Sequence, residues 1–218
     1  MSAVKSPSPI RTLADLLQRL GGIPLDRIRF QPAPGTATER DVVEVESREG
    51  RLCELVDGVL VEKTVGYGES VLACAISDYL RAFVRPRKLG IVSGADGVSR
   101  YFPGLVRIPD VAFASWKRIP GGVFPGEPIP DLVPELAIEV LSEGNTESEM
   151  ERKRGEYFSA GVRLLWIVDP GTRTVEVWAG LDPGKRLSEA DTLDGGDVLP
   201  GFRLPLRDLF AELDEKAP

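Results

Sequence analysis

The stretch that decides the fold is "PELAIEVLSEGN", which runs from Pro134 to Asn145. Apolar side chains recur at every second position, and two of them are β-branched, a pattern that is typical of a β-strand. Leu136, Ile138 and Val140 share one face, whereas Glu139 lies on the opposite face. An unpaired charge is costly to bury, so Glu139 needs a cation, a hydrogen-bonding partner or water.

The composition is that of an ordinary soluble globular chain. Its 218 residues, 42% hydrophobic and 28% charged, suit one domain, or one domain with a terminal extension. No apolar run approaches the roughly 20 residues of a membrane span, and the N-terminus lacks the apolar region of a signal peptide. We expect Cys53 and Cys74 to be reduced thiols packed in the core, which favours a cytoplasmic location without a membrane partner.

Histidine is absent from the sequence, and the formal net charge is -7. A Ser-His-Asp triad, a Cys-His pair and a histidine-bound metal are therefore excluded. Chemistry would depend on carboxylates, lysine, tyrosine or a metal, and carboxylate sites favour hard cations such as Mg²⁺ or Mn²⁺. The acidic balance argues against broad nucleic-acid binding. Two basic stretches, "RPRK" at 85–88 and "ERKR" at 151–154, are either local basic surfaces or ordinary solvated helix ends.

Periodicity and turn signals predict the remaining elements. "VDGV" predicts a hairpin with a type I′ turn at Asp57-Gly58. In chain order we expect a short helix after Thr12, a connector over 30–41, the hairpin over 51–64, a helix over 69–84, a strand over 106–115, a Pro/Gly-rich loop over 117–134, a helix over 146–160 and two strands joined at Asp169.

Glu54, Asp110 and Glu139 share one anomaly, because each lies on a predicted strand face that is otherwise apolar. A single such acid is more often a strand-edge or hydrogen-bonded residue. Three together are explained most simply by a shared divalent cation, since converging carboxylates repel and raise at least one pKa. The helix over 146–160 can add a positive side chain. Lys153 and Arg154 both flank its inward side, and periodicity does not choose between them.

Four motifs together resemble the Uma-type restriction endonuclease family of the PD-(D/E)XK nuclease superfamily, formerly a domain of unknown function. They are "ELVDGVLVEK", "IPDVAF", "PELAIEVLSEGNTESEMERKRGEYFSAGVRLLWIVDP" and "DTLDGGDVLPGFRLPLRDLF". The resemblance implies an α/β (α+β) fold with a restriction-endonuclease-like core, in which helices flank a central mixed β-sheet. We expect an N-terminal extension with a short helix over 1–40, the endonuclease-like domain over 41–212 and a tail over 213–218.

The same resemblance implies a Mg²⁺- or Mn²⁺-dependent endonuclease that hydrolyses DNA phosphodiester bonds. Asp110 matches the family's Pro-Asp pair and Glu139 its second acid, both as metal ligands and catalytic residues. Glu54 matches the first acid and would assist as a third ligand, with Glu62 and Glu69 as alternatives.

The superfamily's usual lysine is missing, because Leu141 stands two residues after Glu139. The family is thought to use a lysine on the next helix, and Lys153 in "MERKRGEYF" matches it as the residue that positions or activates water. The secondary candidates are Ser142, Asn145 and Tyr157. Ser142 and Asn145 would orient water at the site or cap the following helix.

Two rival functions remain open at this point. The acidic composition and the displaced lysine also suit a catalytically inactive nuclease-like scaffold that binds DNA or a protein partner. A metal-dependent hydrolase of a small phosphoester is the third alternative. We also expect a homodimer, since Trp178, the apolar C-terminal stretch and the Pro-rich loop offer apolar surface and two-fold dimers are the commonest assembly.

Overall fold

The computed structural model describes residues 10–64 and 66–214. The helices are α1 (Leu13–Arg19), α2 (Glu39–Glu49), α3 (Tyr67–Arg87), α4 (Glu147–Ala160) and α5 (Leu206–Ala211). The strands are β1 (Cys53–Val56), β2 (Val59–Glu62), β3 (Gly90–Ser93), β4 (Ser99–Phe102), β5 (Leu105–Arg107), β6 (Val111–Ser115), β7 (Leu136–Val140), β8 (Leu164–Asp169), β9 (Thr174–Trp178), β10 (Lys185–Ser188), β11 (Thr192–Asp194) and β12 (Arg203–Pro205). Short 3-10 helices occur at Leu25–Arg27, Trp116–Arg118 and Pro120–Gly122.

Two sheets form the body of the fold. The central sheet has six strands in the order β10-β9-β8-β7-β6-β3, and a second sheet has four in the order β2-β1-β5-β4. The central sheet is mixed, because β7 and β8 run parallel while its other neighbouring strands are antiparallel. Helix α4 makes the crossover that a parallel pair requires. The predicted α/β fold with a central mixed sheet and flanking helices is therefore confirmed.

Helices α3 and α5 cover one face of the central sheet, where Leu72, Ile76 and Phe210 pack in one core with Ile138 and Trp166. The periodicity of the α3 sequence explains this packing, since its apolar residues recur on a single helical face. Among the described residues, no helix is both long and apolar enough to cross a membrane.

The other face of the central sheet shares a second core with the four-stranded sheet, α1 and α4. Leu16, Val56, Tyr157 and Leu165 are buried in that core. Helix α2 packs on the outer face of the four-stranded sheet. The space between the two sheets is therefore a buried layer, and β1, β7 and α4 all present side chains to it.

The hairpin is confirmed, with β1 and β2 antiparallel and Val56 opposite Val59. Asp57 and Gly58 have φ values of 51° and 72°, as a type I′ turn requires at both central positions. Alternation along β1 sends Leu55 to the outer core and Val56 to the inner one. Glu54 consequently faces the layer between the sheets.

The single strand predicted over 106–115 is wrong. The chain forms β5 in the four-stranded sheet, leaves it at residues 108–110, and enters the central sheet as β6. Pro109 has no N–H to donate to a strand ladder, so the chain breaks there. Asp110 consequently lies at the crossing between the two sheets.

Three smaller expectations also differ from the structure. The stretch read as a connector ends in α2, which begins at Glu39 with a Thr38–Asp41 capping box. Cys74 is exposed instead of packed in the core, while Cys53 is buried, and both are free thiols. The apolar C-terminal stretch is buried as α5, so it offers no surface for a partner.

Candidate active site

Glu54 lies on the inner face of β1 with its carboxylate fully engaged. The Arg107 guanidinium donates to Oε2 at 2.6 Å and the Ile108 N–H donates to Oε1 at 3.1 Å. The Lys153 Nζ lies 3.4 Å from Oε1. With a residue exposure of only 2%, this carboxylate is stabilised by protein charges and not by water.

Glu139 lies on the face of β7 that also buries Ala137 between the sheets. Lys153 of α4 donates to its Oε2 at 3.0 Å, and the Tyr157 hydroxyl donates to its Oε1. Lys153 and Tyr157 are four residues apart on one helix face, so both can donate to the same carboxylate. Lys153 thus joins an acid of the four-stranded sheet to an acid of the central sheet.

Asp110 lies beside this group and has a separate cation. Its Oδ1 is 2.9 Å from the Lys63 Nζ, and its Oδ2 accepts the Val140 N–H at 2.7 Å. Lys63 also donates to the Ile108 carbonyl at 2.6 Å. The Asp110 side chain is 15% exposed, so the cluster is most accessible to solvent at this residue.

The pKa values of Glu54 and Glu139 are shifted in opposite directions by their surroundings. Burial raises the pKa of Glu54, but the charges of Lys153 and Arg107 outweigh it and bring the pKa down to about 2. Burial raises the pKa of Glu139, and the charges of Asp110 and Glu54 reinforce that rise against the opposing charge of Lys153. The expectation that clustered acids raise at least one carboxyl pKa is thus met at Glu139.

Lys153 is buried, with 4% exposure, yet it stays protonated. Burial lowers the pKa of Lys153, and the Glu139 and Glu54 carboxylates more than reverse that effect, so the pKa is raised overall. A lysine held in this state is a cation and a hydrogen-bond donor. It does not act as a general base at neutral pH, since it has no free lone pair.

Residues 40–207 match the model of the Uma2 family, described as "Putative restriction endonuclease". The chain belongs to the Uma2 family. The resemblance of its motifs to the Uma-type family is thereby confirmed, and membership supports a nuclease of the restriction-endonuclease type.

A solved structure shares the fold. It is titled a putative nuclease belonging to DUF820 from Anabaena variabilis, with a TM-score of 0.65 and 19% sequence identity. The match covers 74% of this chain and 91% of that one. At this identity the likeness concerns the fold alone. The comparison with curated proteins gave no significant match.

The structure distinguishes the two candidates on α4 that helical periodicity left open. Lys153 bridges Glu54 and Glu139, whereas the Arg154 guanidinium lies over the Trp178 ring at 3.9 Å from its centroid. Helical periodicity predicts that Arg152 points away from the fold. This prediction is wrong, because the Arg152 guanidinium pairs with Asp57 of the hairpin turn.

The alternatives to Glu54 lie elsewhere in this Uma2 structure. Glu62 pairs with Arg29 and Arg51, and Glu69 lies in the first turn of α3. Neither makes a hydrogen bond or ion pair to Lys153 in the described part of the chain. Of the three acids considered for the first position, Glu54 alone contacts Lys153.

Ser142 and Asn145 shape the turn after β7. The Ser142 N–H and hydroxyl both donate to the Asn145 Oδ1, at 2.9 Å and 3.1 Å. Thr146 is the residue that caps α4, accepting the Glu149 N–H. Capping by Ser142 or Asn145 is therefore wrong, and their orienting of water stays a prediction.

Lys63 and Arg107 pair with acids of the candidate site and were not predicted from the sequence. Lys63 closes the motif "VLVEK", and Arg107 alternates with apolar neighbours in "LVRIP". The sequence contained one signal for such residues, because buried acids require neighbouring cations. Which lysine or arginine supplies them depends on contacts between distant parts of the chain, since Arg107 meets Glu54 through the pairing of β5 with β1. Such contacts are not visible in local sequence.

A divalent cation fits part of the Uma2 site. In residues 10–64 and 66–214, no group of three or more His, Cys, Asp or Glu side chains is arranged to hold a metal, since cations stand between Glu54 and its neighbouring acids. Each carboxylate oxygen of Asp110 and Glu139 accepts one bond and retains a lone pair. Mg²⁺ is typically bound by one or two carboxylates and several waters, so Asp110 and Glu139 suit it.

Proposed function

We propose that this Uma2 protein is a Mg²⁺- or Mn²⁺-dependent endonuclease that hydrolyses DNA phosphodiester bonds. The observation that carries the proposal is the protonated Lys153 between Glu54 and Glu139, with Asp110 alongside. Acids beside a buried cation suit a reaction in which negative charge develops on phosphate oxygens. The family match and the fold support the same reaction class.

Asp110 and Glu139 would hold the cation, which when bound would supply an activated water and neutralise phosphate charge. Asp110 is suited to this role because it is the most accessible acid of the cluster. Tyr157 fixes the orientation of the Glu139 carboxylate by donating to it. Glu54 as a third ligand stays a prediction, and its bonds to Arg107 and Ile108 favour a role in positioning Lys153.

Lys153 would act as a charge donor in this mechanism. Its ammonium group would donate to a phosphate oxygen as charge accumulates during attack by water. Glu54 keeps the ammonium charged and in place from the opposite side. Lys153 would not take the proton of the attacking water, since a protonated lysine accepts no proton.

A cleavage panel tests the proposal directly. Duplex, single-stranded and branched DNA, and RNA, would be incubated with the full chain and Mg²⁺, Mn²⁺ or EDTA. We expect metal-dependent DNA cleavage that is lost in Asp110→Asn, together with a loss of the heat of metal binding. Absence of both cleavage and binding heat at millimolar metal would refute the nuclease function.

A non-enzymatic scaffold is the second candidate, and one observation favours it. A 510 Å³ cavity adjoins the end of β7 and the start of α4. Its charged lining residues are Glu147, Glu151, Asp169, Glu176, Arg154 and Arg186. A net acidic cavity repels a DNA backbone. The scaffold therefore becomes the better proposal if the full cleavage panel is negative while a partner still binds.

The homodimer and the cytoplasmic location stay predictions as well.

A further inference from the structure

One surface has the opposite charge to the rest of this acidic chain. A 490 Å³ cavity lies where the last turns of α3 meet the start of β3. Its charged lining residues are Arg81, Arg85 and Lys88, and the described lining contains no acidic side chain. We call this cavity, lined also by Trp116 and Phe124, the basic groove.

The charge of the basic groove is not neutralised by the protein. Arg81, Arg85 and Lys88 are exposed, and none of them forms an ion pair within the described part of the chain. Other arginines behave differently, since Arg100 and Arg173 are each paired with two carboxylates. Unpaired cations in one concave place are available to an anionic ligand.

Two aromatic side chains stand beside these cations. Trp116 is 40% exposed and Phe124 is 70% exposed, although large aromatic side chains are usually buried. Cations that follow a phosphate backbone, combined with exposed aromatic rings on which bases stack, are the features of single-strand nucleic-acid binding.

The basic groove continues toward the proposed active site. A second cavity of 370 Å³ shares Ile91, Val92 and Phe124 with it and extends to Pro109. Both cavities are lined by residues of strand β3, at the edge of the central sheet. Gly90, at the start of β3, lies opposite Ser115, and Ser93, at its end, lies opposite Ala112. One end of β3 therefore lies beside Trp116, and the other lies opposite Ala112, two residues along the chain from Asp110.

The second cavity also contains an unsatisfied polar group. Tyr101 lines it, and the Tyr101 hydroxyl is buried without a hydrogen-bond partner in the described structure. Such a group costs free energy, which a polar atom of a ligand would recover. The rest of the lining contains several prolines from the loop over 117–134 and other apolar side chains, which suit the faces of bases, and two acids, Asp96 and Glu127.

We infer that the basic groove binds an unpaired DNA strand and leads it along β3 to Asp110. The substrate would then be single-stranded DNA, or the unpaired part of a branched or frayed duplex, because paired bases cannot stack on Trp116 and Phe124. The inference rests on the proposed nuclease function for its choice of DNA, but the binding step needs neither metal nor cleavage.

Fluorescence anisotropy with a labelled 20-nucleotide oligothymidine, in EDTA, tests the inference on the full chain. The variant Arg81→Ala/Arg85→Ala removes two groove cations and retains good helix formers in α3. Its matched control, Arg40→Ala/Arg207→Ala, removes two exposed helix arginines on α2 and α5. For about two lost phosphate contacts we expect a weakening of roughly 25-fold at 0.1 M salt and a salt slope shallower by about 1.4, with the control unchanged.

Trp116 supplies a second, independent readout. Trp116→Ala should weaken binding by about fivefold or more through lost stacking. In the wild type, strand binding should quench tryptophan fluorescence. Trp116→Phe should retain binding and lose most of that quenching, because Trp166 is fully buried and Trp178 lies under Arg154.

Equal weakening in the two double variants, or no effect of Trp116→Ala, would overturn the inference. Duplex DNA binding as tightly as the single strand would overturn the selectivity for unpaired DNA. Competition by poly-glutamate as effective as by oligothymidine would assign the groove to an acidic protein partner instead. Strand binding without metal-dependent cleavage would leave the inference standing and refute only the nuclease function.

Discussion

Lys153 and Arg154 are neighbours on α4 that reach different parts of the molecule. Lys153 bridges two buried carboxylates, whereas Arg154 lies on an aromatic ring at the rim of a cavity. A side chain that stabilises developing charge typically contributes about 100-fold or more to kcat. Only Lys153 is placed to make such a contribution.

We predict that Lys153→Met lowers kcat for DNA cleavage by about 100-fold or more while the heat of metal binding survives. The matched variant Arg154→Met should retain kcat within about twofold. Single-turnover kinetics and calorimetry on both variants measure these effects. Comparable losses of kcat in the two variants would remove Lys153 from the mechanism.

Glu149 forms a second buried ion pair, which attaches the N-terminal segment to α4. Its carboxylate accepts two bonds from Arg27, at 3.0 Å and 2.8 Å. Burial raises the pKa of Glu149, but the hydrogen bond from Arg27 and the charges of Lys153 and Arg27 outweigh it and lower the pKa below its ordinary value of 4.5. The pair therefore stabilises the fold above about pH 4.5, and this stabilisation is lost as pH falls through the lowered value.

We predict that Glu149→Gln lowers the free energy of unfolding at pH 7 by about 3 kcal/mol, because it leaves Arg27 buried without its partner. The difference from wild type should shrink as pH falls below about 4.5. Glu44→Gln is the matched control, since its exposed pair with Arg48 contributes less than about 1 kcal/mol. Urea unfolding at pH 7 and pH 4 measures both, and a difference that does not depend on pH would contradict the prediction.

At the scale of elements, the hairpin turn depends on one glycine. Gly58 has a φ of +72°, and a Cβ added there would lie 2.7 Å from the carbonyl of Gly35. Gly104 has a similar φ of +79° but no atom within 4 Å of an added Cβ. The two positions share the backbone conformation and differ in steric contact.

We predict that Gly58→Ala lowers the free energy of unfolding by about 3 kcal/mol, because backbone strain and a steric clash act together. Gly104→Ala should cost about 1 kcal/mol from the backbone alone. Equilibrium urea unfolding of both variants separates the two contributions. If the two variants lose equal stability, the contact with Gly35 is not what fixes the turn.

The elements with strong local signals could be predicted from the sequence. The β1–β2 hairpin, β7, α3 and α4 all follow from turn chemistry and periodicity. Helix α2 could not be recognised in this way, because it is mostly charged and follows a Pro/Gly-rich stretch, although Thr38 and Asp41 form a capping box. The division of one apparent strand into β5 and β6 could not be read from alternation, which continues through Pro109.

The candidate site was predictable in its residue types and not in its pairing. Glu54, Asp110, Glu139 and Lys153 were predicted to cluster. Lys153 joins Glu54 and Glu139 directly, and Asp110 pairs with Lys63 beside them. The pairing of Glu54 with Arg107 depends on β1 lying next to β5, and the pairing of Asp110 with Lys63 depends on where the chain crosses between the sheets. Tertiary packing of this kind is set by the whole chain, and short sequence motifs do not encode it.

At the scale of the whole molecule, the predicted homodimer now depends on fewer surfaces. The C-terminal stretch is buried, while Val123 of the Pro-rich loop and Leu181 are exposed. We predict that light scattering at micromolar concentration gives twice the mass of the chain. Val123→Ser should shift the particle toward the monomer, and a monomeric mass for the wild type would exclude the dimer.

Lys153 contacts one acid from each sheet, and this has a consequence for how the molecule loses function. Slight separation of the sheets would break the ion pairs while each sheet and helix stays intact. The rate of DNA cleavage would then report the separation of the sheets more sensitively than a measurement of secondary structure. In rising urea, DNA cleavage should disappear before the far-ultraviolet circular dichroism changes, and coincident loss of both signals would mean that docking and secondary structure form one cooperative unit.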